Sequence, residues 1–188
     1  MDTDTLDAVR GYEGKAASLY FNLLAGHLEP GWRFSHRKKH PPPDPVNAML
    51  SFGYTILYHH LTTALLAAGL EPGTGFFHKQ TGHMMALACD LEEEFRHLID
   101  STVLYMIHRG MVKPGGFIYD KKCVYPCLMK YDVKKSFIDQ VEKRFCAFIT
   151  LENGKKQVSY KELFSLQAEQ VKQLINRRGH EYIPLRIR

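Results

Sequence analysis

Cysteine is scarce in this chain, with four residues in 188, and tryptophan occurs once. Cys89, Cys123, Cys127 and Cys146 are irregularly spaced. Cys123 and Cys127 lack the close pairing of a zinc ribbon and no second pair completes one, which excludes a structural zinc module. All four read as reduced, mostly structural thiols. Long apolar runs are missing too: none approaches the roughly 20 residues of a membrane-spanning helix. The polar opening MDTDTLDAV is no secretory signal. The expectation is a cytoplasmic protein without a membrane partner. There are no internal repeats and no low-complexity tract, and an ordinary apolar content of 45% describes a folded domain rather than a disordered tail.

What is present is a modest excess of positive charge, +5 at neutral pH with ten histidines in reserve. That balance permits an anionic partner such as nucleic acid without demanding one. The length fits one domain, residues 1–188, able to bury a sizeable core. Helical spacing of Ala16, Ala17, Tyr20, Leu23 and Leu24 predicts a first helix from Gly11, with Gly26 as its C′ residue. Glu13 then falls in the first turn, where the helix dipole favours a carboxylate. The loop HLEPGWRFSHRKKHPPPD follows. It gathers Arg33, His36, Arg37, Lys38, Lys39 and His40 around Trp32 and Phe34. Cations displace counterions from a phosphate backbone and aromatics stack on bases; the same composition also makes an exposed solubilising loop.

Asp44 as N-cap and Pro45 at the first helical position open a long helix, VNAMLSFGYTILYHHLTTALLAAG, ending at Gly69. It has no acidic residue and is apolar nearly all round, as a buried strut requires. His59 and His60 within it read as packed or surface histidines rather than ligands. Beyond the acidic stretch described next, an apolar helix runs from Leu98 to His108 and closes at Arg109-Gly110. Residues 111–131 predict irregular structure or a short hairpin. Asp132 caps a helix expected to run through Phe148, and Asn153-Gly154 marks a turn. Ser159-x-x-Glu162 has capping-box form and opens LFSLQAEQVKQLINR. The fold class is mainly α.

The chemistry concentrates in GFFHKQTGHMMALACDLEEEFR, from Gly75 to Arg96. His78 precedes a helix on which Asp90 and Glu93 are three apart, and Asp90 and Glu94 four apart, so that they share a face. Leu87, Leu91, Phe95 and Leu98 form the apolar stripe. Carboxylates with one imidazole suit Mg²⁺ or Mn²⁺ better than Zn²⁺. An acidic helix face turned to solvent carries the same pattern.

The strings Gly11-Tyr-Glu-Gly-Lys-Ala-Ala, Pro42-Pro43-Asp44-Pro45-Val46-Asn47-Ala48, Leu50-Ser51-Phe52-Gly53-Tyr54, Gly75-Phe76-Phe77-His78 and Asp90-Leu91-Glu92-Glu93-Glu94-Phe95-Arg96 stand in one order. With Gly69-Leu70-Glu71-Pro72, they resemble the Cas-one family, the integrase of CRISPR adaptation; Gln167 and Tyr182-x-Pro184 fit its end more loosely. The resemblance implies a Cas-one-type helical catalytic domain, with the family's N-terminal β domain absent from these residues. It implies metal ligands at Glu13, His78 and Asp90, a further catalytic acid at Glu93, and DNA contacts at Arg33, Arg37, Lys38, Lys39 and Arg96. Lys79-Gln80 stand where the family commonly continues with a carboxylate. The implied activity is a prokaryotic DNA endonuclease and integrase dependent on Mg²⁺ or Mn²⁺. In it a 3′-hydroxyl attacks a phosphodiester, with DNA and the small protein Cas-two as partners. A homodimer in the full-length protein, and a fused reverse transcriptase or nuclease, are further expectations from the family. Two other readings fit the same residues, a catalytically silent DNA-binding scaffold and a casposase-like transposase domain.

Overall fold

The structure, a computed structural model, describes residues 5–78, 82, 84–119, 122, 126–151, 157–176 and 181–184. Lys79, Gln80, His83, Cys123, the Asn153-Gly154 turn and the start of the basic tail at Arg177 lie outside the described residues. Among those described, five helices carry the fold: α1 (Leu6–Gly26), α2 (Pro45–Ala67), α3 (Ala86–His108), α4 (Tyr131–Cys146) and α5 (Tyr160–Ile175). Two small antiparallel hairpins accompany them, β1 (Phe117–Tyr119) with β2 (Cys127–Met129) and β3 (Phe148–Thr150) with β4 (Gln157–Ser159). The chain is mainly α, as its periodicity predicts. It resolves into two compact units, one of residues 1–51 and 106–136, the other of 52–105 and 137–188.

In the first unit α1 starts earlier than Gly11. Thr5 is its N-cap, accepting from the Ala8 N–H, and Asp7 rather than Glu13 occupies the first turn. Glu13 is therefore a mid-helix residue, and it is exposed. Gly26 is the last helical residue, not a left-handed C′ position; His27 caps the end in a right-handed conformation. Of the helically spaced residues Leu23 and Leu24, Leu24 is buried while Leu23 is 67% exposed. Trp32 and Phe34 point inward, at 4% and 8% exposure, Trp32 meeting Phe117 edge-on. They are core residues and leave no face for a base to stack on.

Asp44 does cap α2. Its carboxylate takes the Asn47 N–H at 2.8 Å and the Asn47 side-chain amide at 2.7 Å. Burial raises the Asp44 pKa above the ordinary carboxylate value, against the lowering effect of those bonds to Asn47. Residues 111–131 do contain a hairpin, with Ile118 opposite Leu128.

In the second unit Leu57, Leu61 and Leu65 of α2 repeat every four residues and are fully buried, as a strut through a core demands. Phe164 of α5 meets Phe95 at 4.8 Å and Phe145 at 5.2 Å, both edge-on. Such pairs add about 0.5–1.5 kcal/mol each beyond the area they bury. Gly53 marks a close approach, since a Cβ there would lie 2.4 Å from Ile99 Cγ2. The helix predicted to reach Phe148 stops at Cys146, and Phe148 opens β3 instead. The capping box forms as predicted: the Glu162 N–H donates to Ser159 Oγ at 3.2 Å, and the Ser159 N–H to Glu162 Oε2 at 2.6 Å.

Candidate functional site

The loop before α3 is pressed against the helix. At Gly75 a Cβ would stand 2.6 Å from Asp90 Oδ2 and 2.8 Å from the Ala86 backbone carbon, so only glycine lets the chain lie this close. The next three N–H groups turn toward one carboxylate. Phe76 and Phe77 donate to Asp90 Oδ2 at 2.5 and 3.0 Å, and His78 donates to Oδ1 at 2.8 Å. The His78 ring adds a fourth bond, Nδ1 to Oδ1 at 2.7 Å. From the other side, the Met85 N–H donates to the Tyr58 hydroxyl at 3.0 Å and fixes the chain just before α3.

Two consequences follow from these bonds. An ionised carboxylate accepts but does not donate, so His78 Nδ1 carries the hydrogen, and in the neutral ring Nε2 keeps its lone pair. A carboxylate has about four acceptor positions, and four donors occupy those of Asp90. Asp90 is thus spent on shaping the loop and fixing the imidazole. That arrangement is the one carboxylates adopt behind metal-bound histidines.

The atom that faces His78 Nε2 belongs to Glu93, whose Oε1 lies 3.9 Å away. That is too long for a hydrogen bond. Two atoms each about 2.0–2.2 Å from one ion lie at most about 4 Å apart, so the gap falls within the reach of a shared divalent cation. A nitrogen and a carboxylate oxygen are chemically apt for Mn²⁺ or Mg²⁺. Among the described residues no set of three or more His, Cys, Asp or Glu side chains converges as a metal cluster. His78 and Glu93 fit as half of a ligand set.

Arg96, one turn on, pairs with Glu93 Oε1 at 2.9 Å and lies over the Tyr54 ring at 5.3 Å. Tyr54 in turn donates to buried Asp100 at 2.5 Å. Arg96, the arginine expected to touch DNA, is partly exposed beside these partners. Glu94 serves another purpose again, accepting from the Tyr182 hydroxyl at 2.6 Å and from Gln167 Nε2 at 3.0 Å. The Tyr182 pKa is driven far above the phenol range by burial and by that carboxylate. A cavity of about 160 Å³ lies beside this pair, with Phe76, Leu91 and Leu174 in its wall. Asp90, Glu93 and Glu94, three of the four carboxylates in this five-residue stretch, therefore do three separate things. The sequence signals Tyr182 and Gln167 only loosely and Tyr54 and Asp100 not at all as parts of this arrangement.

The remaining predicted residues lie in the first unit. Glu13 stands on exposed α1. In the basic loop Arg33, Lys38 and Lys39 are exposed, Arg33 in the left-handed region at φ 53°. Arg37 is turned to Asn47 Oδ1 at 2.9 Å and to the Lys38 carbonyl at 2.8 Å. Asn47, fully buried, also accepts from the Lys38 N–H at 2.8 Å and donates to the His36 carbonyl at 3.0 Å.

Residues 1–143 match the sequence profile of a family described as "CRISPR associated protein Cas1". The chain is 37% identical over 175 residues to a CRISPR-associated exonuclease Cas4/endonuclease Cas1 fusion of Geobacter sulfurreducens, covering 89% of this chain and 31% of that one. It is 32% identical over 189 residues to a CRISPR-associated endonuclease Cas1 of Methanospirillum hungatei, covering all of this chain and 55% of the relative. The chain thus spans about half, or less, of the length of these relatives. Among solved structures, a Cas6-RT-Cas1–Cas2 complex superposes with a TM-score of 0.87 at 28% identity, over 97% of this chain and 20% of that one. A casposase bound to an integration product superposes with the same score at 21% identity, over 96% of this chain and 50% of that one, which speaks for the fold alone.

Proposed function

The chain belongs to the Cas1 family, and from that membership we propose that it is the helical catalytic part of a divalent-metal-dependent DNA integrase and endonuclease of CRISPR adaptation. The single observation that carries the metal reading is His78 Nε2, held by Asp90 with its lone pair toward Glu93. A Mg²⁺ or Mn²⁺ ion bound there would polarise a phosphodiester toward attack by a 3′-hydroxyl or water. His78 and Glu93 would be its ligands in this unit.

The protein's own part is orientation and charge. Asp90 keeps His78 in one tautomer and one ring orientation. Arg96 tempers the charge of Glu93 while Tyr54 and Asp100 keep Arg96 in place. Arg33, Lys38 and Lys39 supply backbone-neutralising cations on a loop whose shape Asn47 fixes. Names of the relatives and neighbours support DNA and Cas2 as partners and a setting in which such a chain is fused to a nuclease or reverse transcriptase.

The test is a Mn²⁺ titration of the chain by calorimetry, joined to a strand-transfer assay with 3′-hydroxyl DNA. Saturable binding that His78→Ala and Glu93→Gln both lose, together with loss of strand transfer in the same variants, is the expected outcome. Strand transfer retained in both variants would overturn the assignment.

A further inference from the structure

In the second unit, the end of α2 and the start of α5 border an open cleft of about 400 Å³ that the His78 site does not use. His59, His60 and Thr63 line it from α2; Lys161, Phe164 and Ser165 line it from α5. None of the described lining residues is acidic. A carboxylate in contact with the cluster, Glu142 of α4, is not among the described lining residues. It takes His60 Nε2 at 2.9 Å on one oxygen and Lys161 Nζ at 2.8 Å on the other. One carboxylate thereby orients two basic groups that border the same opening. The Lys161 pKa is raised, first by that hydrogen bond, so the ammonium is permanent at neutral pH. Burial works to raise the Glu142 pKa, but its bonds to Lys161 and His60 outweigh it and the net shift is downward.

Resting on the reading of the chain as a DNA-acting protein, we propose that this cleft is a second nucleic-acid contact, which takes a backbone phosphodiester of a bound DNA strand. Lys161 and the Ser165 hydroxyl face the phosphate and His59 stands at its edge. The volume is in the range of small-ligand pockets, and the apolar floor, with Phe164 and Ala64, suits a sugar rather than a second charge. A lysine that meets a phosphate as a point charge contributes affinity without sequence preference. The cleft therefore holds a strand whatever its sequence.

The test measures binding of a fluorescein-labelled DNA duplex to the chain by anisotropy over a range of KCl concentrations. One phosphate contact carries a salt slope of about −0.9, which amounts to about eightfold in affinity at about 0.1 M salt. Lys161→Gln is expected to weaken binding by about that factor and to lower the slope by about one unit, equally for unrelated sequences. Ser165→Glu, at an exposed helical position that tolerates the change, should weaken it too. Glu142→Gln, which removes the carboxylate paired with Lys161 and His60, should tighten it. Thermal melts confirm that each variant is folded. Equal affinity and equal slope in Lys161→Gln and Ser165→Glu overturns the proposal, as does a wild type that binds no DNA. The Mn²⁺ titration of His78→Ala and Glu93→Gln judges the wider reading separately, because neither residue borders this cleft.

Discussion

Replacing Asp90 by asparagine and Glu93 by glutamine removes one charge in each case, yet the two changes should have opposite signatures. In Asp90→Asn one oxygen becomes an amide nitrogen. Whichever way the amide turns, two of the four donors that met a carboxylate oxygen now face another donor. Hydrogen bonds to a charged group are worth about 1.5–3 kcal/mol each. His78 and Phe76 are partly open to water, so the low end applies, about 3 kcal/mol for the two. For a chain of this size that is a fall in Tm of about 6–12 °C. Glu93→Gln loses a partly exposed ion pair to Arg96, worth about 0–1 kcal/mol, so its Tm should stay within about 4 °C of wild type. Metal binding should rank the other way. Glu93→Gln abolishes Mn²⁺ binding, whereas Asp90→Asn weakens it by about 10–100-fold, the usual cost of losing the carboxylate behind a ligating histidine. Scanning calorimetry and Mn²⁺ titration of both variants measure the two quantities. An Asp90→Asn protein that melts with wild type and binds no Mn²⁺ would refute the division of labour and return Asp90 to the metal.

Gly75→Ala should lower Tm and Mn²⁺ affinity together, at a cost of about 1–3 kcal/mol, because its Cβ meets backbone as well as the Asp90 oxygen; normal melting and binding would show that the loop can move aside. Tyr182→Phe removes the donor to Glu94 and should cost about 1.5–3 kcal/mol in urea unfolding. The folded Tyr182 pKa is raised above its ordinary 10.0, so this stability is present below pH 10.0 and lost as pH rises beyond it. The variant should flatten that alkaline decline, and an unchanged decline would contradict the raised pKa. Among the described cysteines, exposed Cys146 should react first with a thiol reagent. Cys127, buried and with its pKa pushed up to about 11 chiefly by that burial, should stay protected until unfolding. Equal labelling rates under native conditions would contradict that burial.

Much of this arrangement can be read from local rules. Asp44-Pro45, Gly69 and Ser159-x-x-Glu162 bound α2 and α5 because caps are decided by neighbouring residues, and Gly110, at φ 65°, ends α3 as anticipated. β3 and β4 escape such reading. Each is three residues long, and Phe148 continues the apolar spacing of α4, so periodicity alone extends the helix through it. Trp32 and Phe34 look like stacking groups beside the lysines, and only the fold shows them committed to the core. The Asp-x-x-Glu-Glu stretch locates the site at once, but it cannot apportion roles among three carboxylates. That depends on where three backbone N–H groups turn after Gly75, and on a tyrosine 88 positions beyond Glu94.

Asn47 leaves the basic loop with little to decide when a polyanion arrives. One amide side chain, anchored by Asp44, already holds His36, Arg37 and Lys38 in register against the first turn of α2. Ordering a residue costs about 1–2 kcal/mol of backbone entropy, and here folding has met that cost in advance. A loop preorganised in this way can be stiff and still bind quickly, and its cations keep their spacing along whatever strand they meet.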